Sequence, residues 1–121
     1  MATAMDEKTY RKLLDDTYAR IDRAFEEVDP DLAEVDISQG TLTISFGDKL
    51  RLMLTPQPSP RQLWVAFRDR AWHFDWDTAG SRWLDDRGQQ IDALSLIEDL
   101  TKQQTSLTVP IANKKNPSLT R

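Results

Sequence analysis

The chain contains no cysteine and a single histidine, His73. Without thiols it has no disulfide framework, no zinc–thiolate site and no iron–sulfur cluster of its own. One imidazole cannot make a histidine-rich metal site. Glycine is scarce, four in 121 residues, and none belongs to a phosphate-cradling pattern. No Ser–His–Asp or Cys–His grouping and no calcium-loop spacing emerges from the motifs. No apolar run approaches the ~20 residues of a membrane span. The opening stretch, Met1 to Lys8, has neither the charged-then-apolar plan of a secretory leader nor the arginine-rich character of a transit sequence. The chain therefore reads as a cytoplasmic protein.

Carboxylates, by contrast, are plentiful and unevenly placed. The first 36 residues hold 11 of the 20 acidic side chains and 5 of the 16 basic ones, a formal charge of −6 where the whole chain carries −4. Such clustering costs self-repulsion that a fold does not need, and its usual uses are a cation or a basic partner protein. The same acidity argues against nucleic acid, whose phosphates it would repel. A length of 121 residues fits one domain, large enough to bury a core without staples.

The hydrophobic period changes once near the start and once near the end. From Asp6 to Val28 apolar residues recur at three- and four-residue spacing (Tyr10, Leu13, Leu14, Thr17, Tyr18, Ile21, Phe25, Val28), which predicts an amphipathic helix ending before Pro30. The period then becomes two. Val35 and Ile37, then Leu42, Ile44 and Phe46, then Leu50, Leu52 and Leu54 alternate with polar residues, with Gly40 and Gly47–Asp48 as turns. Residues 55–60, with three prolines, read as a loop. A fourth strand points Leu63, Val65 and Phe67 inward. A fifth puts Trp72, Phe74 and Trp76 on one face and His73 and Asp75 on the other, and a short sixth surrounds Trp83 and Leu84. A second helix is expected over about residues 90–104, with Leu94, Ile97 and Leu100 inward. The predicted fold is α+β: two helices on one face of an antiparallel sheet, a two-layer sandwich over residues 1–109. Residues 110–121 read as a polar, basic, partly disordered tail.

Two features invite a functional reading. Asp22 and Glu26 are four residues apart and Asp15 lies seven before Asp22, so the three share one helix stripe. Glu34 and Asp36 face outward on the first strand. A charge run is more often a solvated face than a site, but this density points to a ridge. Carboxylates alone favour hard, oxygen-loving ions, and an exposed ridge should bind them weakly and without selectivity. The second feature is Trp64. If Leu63 and Val65 face the core, Trp64 lies on the open sheet face, where tryptophan is a typical interface anchor. Trp72, Trp76 and Trp83 are simpler to read as core or edge packing, and His73 as a surface or hydrogen-bonded residue.

The sequence resembles the frataxin family, in its short bacterial form, over about residues 6–109. The resemblance is carried by the acidic first helix, Gly40–Phe46, Gln62-Leu63-Trp64-Val65-Ala66, Trp72-His73-Phe74-Asp75, and Trp83 followed by Asp86-Arg87. It implies the same order of helix, sheet and helix. It also implies weak binding of ferrous and ferric iron on an acidic ridge, and docking onto the cysteine desulfurase and scaffold protein that build iron–sulfur clusters. The ridge maps onto Asp22, Glu26, Glu27, Asp29, Asp31, Glu34 and Asp36, and the partner-facing residues onto Trp64, Gln57 and His73. The implied protein is a monomer or an iron-dependent oligomer, with no enzymatic activity. Di-iron oxidation would need Glu and Glu-x-x-His motifs inside a helix bundle, which this chain lacks. A pure acidic adaptor whose metal binding is incidental is the alternative. The sequence departs from the family pattern at Arg23, where an acid is common, at Thr55-Pro56-Gln57-Pro58, at the long 77–81 hairpin and in the basic tail.

Overall fold

The computed structural model describes residues 5–47 and 50–111. Helix α1 (Glu7–Ala24) starts at Asp6, whose carboxylate accepts the Thr9 N–H at 2.8 Å. This satisfies one of the amides that a helix start leaves unpaired. Its buried stripe is Tyr10, Leu14, Thr17, Tyr18 and Ile21. The helix stops four residues before Val28, the expected end. The Phe25 N–H is shared between the Ile21 and Asp22 carbonyls, and Glu26 and Val28 donate three residues back. The last turn is thus wound more tightly as the chain approaches Pro30, which disfavours helix at the residue before it. Asp29 then organises the exit. Its side chain accepts the Asp31 N–H at 2.9 Å, and its carbonyl accepts those of Leu32 and Ala33.

Six strands follow as β1 (Glu34–Ser38), β2 (Thr41–Phe46), β3 (Leu50–Gln57), β4 (Gln62–Phe67), β5 (Arg70–Asp77) and β6 (Arg82–Asp85). They form one antiparallel sheet in sequence order. Helix α2 (Ala93–Thr105) closes the fold, capped by Asp92 through the Ser95 N–H at 2.9 Å. The β1–β2 hairpin needs a left-handed pair, and Gln39 (φ 53°) with Gly40 (φ 85°) supplies it.

The core lies between the helices and one sheet face. Leu42, Ile44, Leu52, Leu54, Leu63, Val65 and Phe74 are fully buried from the sheet side, and Ile21 and Ile97 from the helices. Three phenol and indole groups tie helix to sheet. Tyr10 donates to the Gln62 carbonyl at 2.6 Å. Tyr18 lies within bonding distance of the Gly40 and Leu54 carbonyls, at 2.9 and 3.1 Å. Trp83 donates to Thr17 Oγ1 at 3.0 Å. Burial pushes the Tyr18 hydroxyl far above its usual range, so it stays a neutral donor. Tyr18→Phe should cost about 1–3 kcal/mol, read in urea unfolding, because it strips two carbonyls of a donor.

Four further particulars differ from the sequence reading. β3 runs through Thr55, Pro56 and Gln57, which were expected in a loop. Pro56 is tolerated because it pairs with Leu63 of β4 beyond the last β2 partner, where no second strand needs its missing N–H. Ile37 lies on the core side in register with Leu42, yet it is exposed because β1 is an edge strand. Ile111, read as part of the tail, is buried and donates its N–H to the Glu98 carboxylate, while its carbonyl accepts from Arg20 at 2.9 Å. The second helix begins at Ala93 rather than near Gln90, because Asp85 holds the preceding turn. Its carboxylate accepts the N–H groups of Ile91, Gln89 and Arg87. The expected turn residue Asp48 and the tail from Ala112 onward lie outside the described residues. Among the described residues no helix is long and apolar enough to cross a membrane.

The Ile91 amide, ahead of the other two, holds the Asp85 carboxyl below the usual carboxylate range. Its folded pKa is therefore depressed, so its contribution is present above the unfolded carboxylate pKa and fades as pH falls through the folded value. Asp85→Asn should lower stability near neutrality and flatten the acid limb of a melting-temperature profile. An unchanged limb would mean that the turn does not depend on the charge.

Candidate metal ridge and sheet-face cluster

The seven ridge carboxylates are exposed. They occupy the end of α1, the turn after it and the edge strand β1. Three of them converge. Asp22, Glu26 and Glu34 line a shallow hollow of about 190 Å³, floored by Phe25, Val28, Ala33 and Val35. Glu27, Asp29, Asp31 and Asp36 lie outside it, and Asp29 is already engaged with its own turn. Among the described residues none of the seven takes part in an ion pair. Also among the described residues, no three His, Asp or Glu side chains close into a metal-chelating group.

This donor set fits iron in one respect. It offers hard carboxylate oxygens at high negative density, suited to a hydrated divalent or trivalent ion. Exposure leaves those oxygens solvated.

The second site is the open sheet face. Register puts Trp64 opposite Thr55 and His73, away from the buried Leu63 and Val65. Trp64 is half-buried rather than solvent-facing. Its ring stacks on the His73 imidazole, centroids 4.0 Å apart at 18°, and its Nε1 donates to Gln62 Oε1 at 2.8 Å. The Gln62 amide in turn donates to Asp75 and Asp86, each at 3.1 Å. His73 Nδ1 lies 3.7 Å from Asp86 Oδ2. Gln57 pairs with Gln62 at the strand end. Two of the three sequence-expected partner residues, Trp64 and His73, therefore belong to one network, with Gln57 in register with Gln62 at its edge, and the tryptophan is held in a fixed orientation.

Met53, 40% exposed, extends this face beside Ala66. Sequence reasoning named Gln62 and Asp86 only among the motifs of the resemblance and gave neither a role. Gln62 was legible, since period-two alternation puts it on the Trp64 face. Asp86 was not, because it arrives through a turn whose backbone N–H bonds the His73 carbonyl at 2.8 Å.

Fold and surface together define a two-layer α+β domain with a carboxylate rim at one sheet edge and an aromatic–amide cluster on its open face. The chain belongs to the frataxin family: residues 3–108 match the family's Frataxin-like domain. It is 36% identical over 83 residues to the iron-sulfur cluster assembly protein CyaY of Azotobacter vinelandii, covering 69% of this chain and 74% of that protein. It is 32% identical over 102 residues to CyaY of Stutzerimonas stutzeri, covering 84% of this chain and 90% of that one. The structure of frataxin from Psychromonas ingrahamii superposes with a TM-score of 0.80 at 24% identity, covering 90% of this chain and all of that one. Trimeric yeast frataxin complexed with ferrous iron shares the fold at a TM-score of 0.59 and 20% identity, covering 88% of this chain and 92% of the yeast chain.

Proposed function

We propose that this chain is a non-enzymatic iron-binding regulator, or iron chaperone, of iron–sulfur cluster assembly in the bacterial cytoplasm. Ferrous or ferric iron is its cargo, held weakly by the ridge of Asp22, Glu26, Glu27, Asp29, Asp31, Glu34 and Asp36. The same ridge meets a basic patch on a cysteine desulfurase, while Trp64, with Gln57 and His73 beside it, faces the scaffold protein. The observation that carries this reading is the run of exposed carboxylates along one edge, none of them in an ion pair among the described residues. Membership of a family whose relatives are named iron-sulfur cluster assembly proteins supports the process.

The adaptor reading keeps one observation in its favour: only three of the seven carboxylates share a hollow, so the rest are spaced as a charge pattern rather than a chelate. Metal titration separates the two. Ferrous, cobalt and manganese ions should each broaden NMR signals of residues between Asp22 and Asp36, with little selectivity. A single tight site that perturbs His73 first and spares the ridge would overturn the assignment. Absence of any ridge perturbation by iron would leave the adaptor.

A further inference from the structure

A larger hollow, about 720 Å³, lies on the other side of α1, between that helix, the β5–β6 hairpin and the first turn of α2. No ridge residue and no member of the Trp64 cluster lines it. In a chain of net charge −4, three arginines line it, Arg20, Arg23 and Arg82, of which Arg20 donates to the Ile111 carbonyl. Two carboxylates also line it, but each is engaged. Asp16 pairs with Lys12 at 3.1 Å, and Asp92 accepts the Ser95 N–H. The Ser95 amide at the start of α2 is thus already capped, which leaves Arg23 and Arg82 to read charge.

Arg23 makes no side-chain hydrogen bond or ion pair among the described residues. Arg82 is steered by Asp77, 3.6 Å away, across a turn where a Cβ on Gly80 would come within 2.9 Å of Arg82 Nε. One wall is the half-buried Trp76, its ring set edge-to-face 5.3 Å from Trp83. Trp83 is itself fixed by its bond to Thr17. The wall is therefore rigid before anything binds.

We propose that this hollow binds a small aromatic anion, a flat ring bearing a phosphate or carboxylate. The volume falls within the ~300–1,000 Å³ of small-molecule sites. The guanidinium fork matches two oxygens of such an anion, and the indole of Trp76 offers a face or edge to the ring. Neither the iron ridge nor the sheet-face cluster takes part, so the inference stands apart from the proposed function.

The test titrates phenyl phosphate into the full ¹⁵N-labelled chain at constant ionic strength, with phenol and inorganic phosphate as separate probes. Phenyl phosphate should give saturable shifts of the Trp76 indole N–H and of the Ser81, Arg82 and Ser95 amides. Each half-molecule probe should bind more weakly. The double variant Arg23→Gln/Arg82→Gln should weaken phenyl phosphate by about tenfold or more. Both positions are exposed, and an unchanged melting temperature would show that the variant remains folded. Trp76→Leu, read through the same amides, gives an independent second loss. Shifts that never saturate, that map elsewhere, or that persist in the double variant would each overturn the assignment.

Discussion

Trp64→Ala should leave a folded domain that has lost most of its grip on the scaffold protein, whereas Trp72→Ala should strip about 3–5 kcal/mol from the fold with no partner present. The contrast follows from the two faces of the sheet. Trp72 is 9% exposed and in register with buried Val65, so truncating it opens a hole in the core. Such losses run to about 3–5 kcal/mol, against a whole-domain stability of about 5–15 kcal/mol. Trp64 gives up less: a stack on His73 and one hydrogen bond to Gln62. Those contacts are worth about 1–3 kcal/mol together. Because they fix the ring before binding, the interface pays little ordering entropy, and removing the ring should weaken scaffold binding by about 2 kcal/mol or more. Urea unfolding and calorimetric binding on the same samples check both halves. Equal destabilisation by the two variants would place Trp64 in the core. A mild loss of stability with unchanged affinity would remove the open face as the docking surface.

The second large effect has the opposite sign. Asp22→Lys with Glu26→Lys should raise the melting temperature at low salt while abolishing desulfurase binding. Asp22 in the last turn of α1 and Glu26 just past its end face the same hollow as Glu34 and have no ion-pair partner among the described residues. Both carboxylates face Glu34, and negative charge at a helix C-terminus opposes the macrodipole by about 0.3–1 kcal/mol. The two lysines would still repel each other, but each would be drawn to Glu34 and favoured by the macrodipole, a net gain of about 1 kcal/mol or several degrees for a chain of this size. The gain should shrink in about 1 M salt, where screening acts within ~3 Å. Lower stability in the double variant would make these side chains structural, and the ridge would lose its functional standing.

The legible parts of this protein are those where periodicity and burial coincide. Leu42, Ile44, Leu52, Leu54, Leu63 and Val65 alternate strictly, and that alternation alone fixes which way Trp64 points. The order of the elements and the two-layer arrangement follow from where the period changes. The misread parts depend on contacts that no local pattern carries. Three prolines between residues 55 and 60 look like a loop until it emerges that β3 outruns β2 and leaves Pro56 with one neighbour only. Ile37 looks buried until β1 proves to be an edge. Ile111 looks like tail until Arg20 and Glu98, distant in sequence, hold its backbone. The ridge was legible as composition, since clustered charge needs no partner to be recognised. That only Asp22, Glu26 and Glu34 share a hollow depended on how the chain turns after Phe25.

The measurement that bears most directly on the proposed role is desulfurase binding by the native chain and by Asp22→Lys/Glu26→Lys. It should be run at about 50 and 300 mM salt, spanning Debye lengths on either side of ~10 Å, each with and without ferrous iron. A carboxylate ridge that both docks on a basic patch and holds iron predicts tight native binding at low salt that weakens steeply at high salt. It predicts an affinity that shifts when ferrous iron occupies the same oxygens, and no binding by the double variant under any condition. Binding that is indifferent to salt, to iron and to the two substitutions would contradict it.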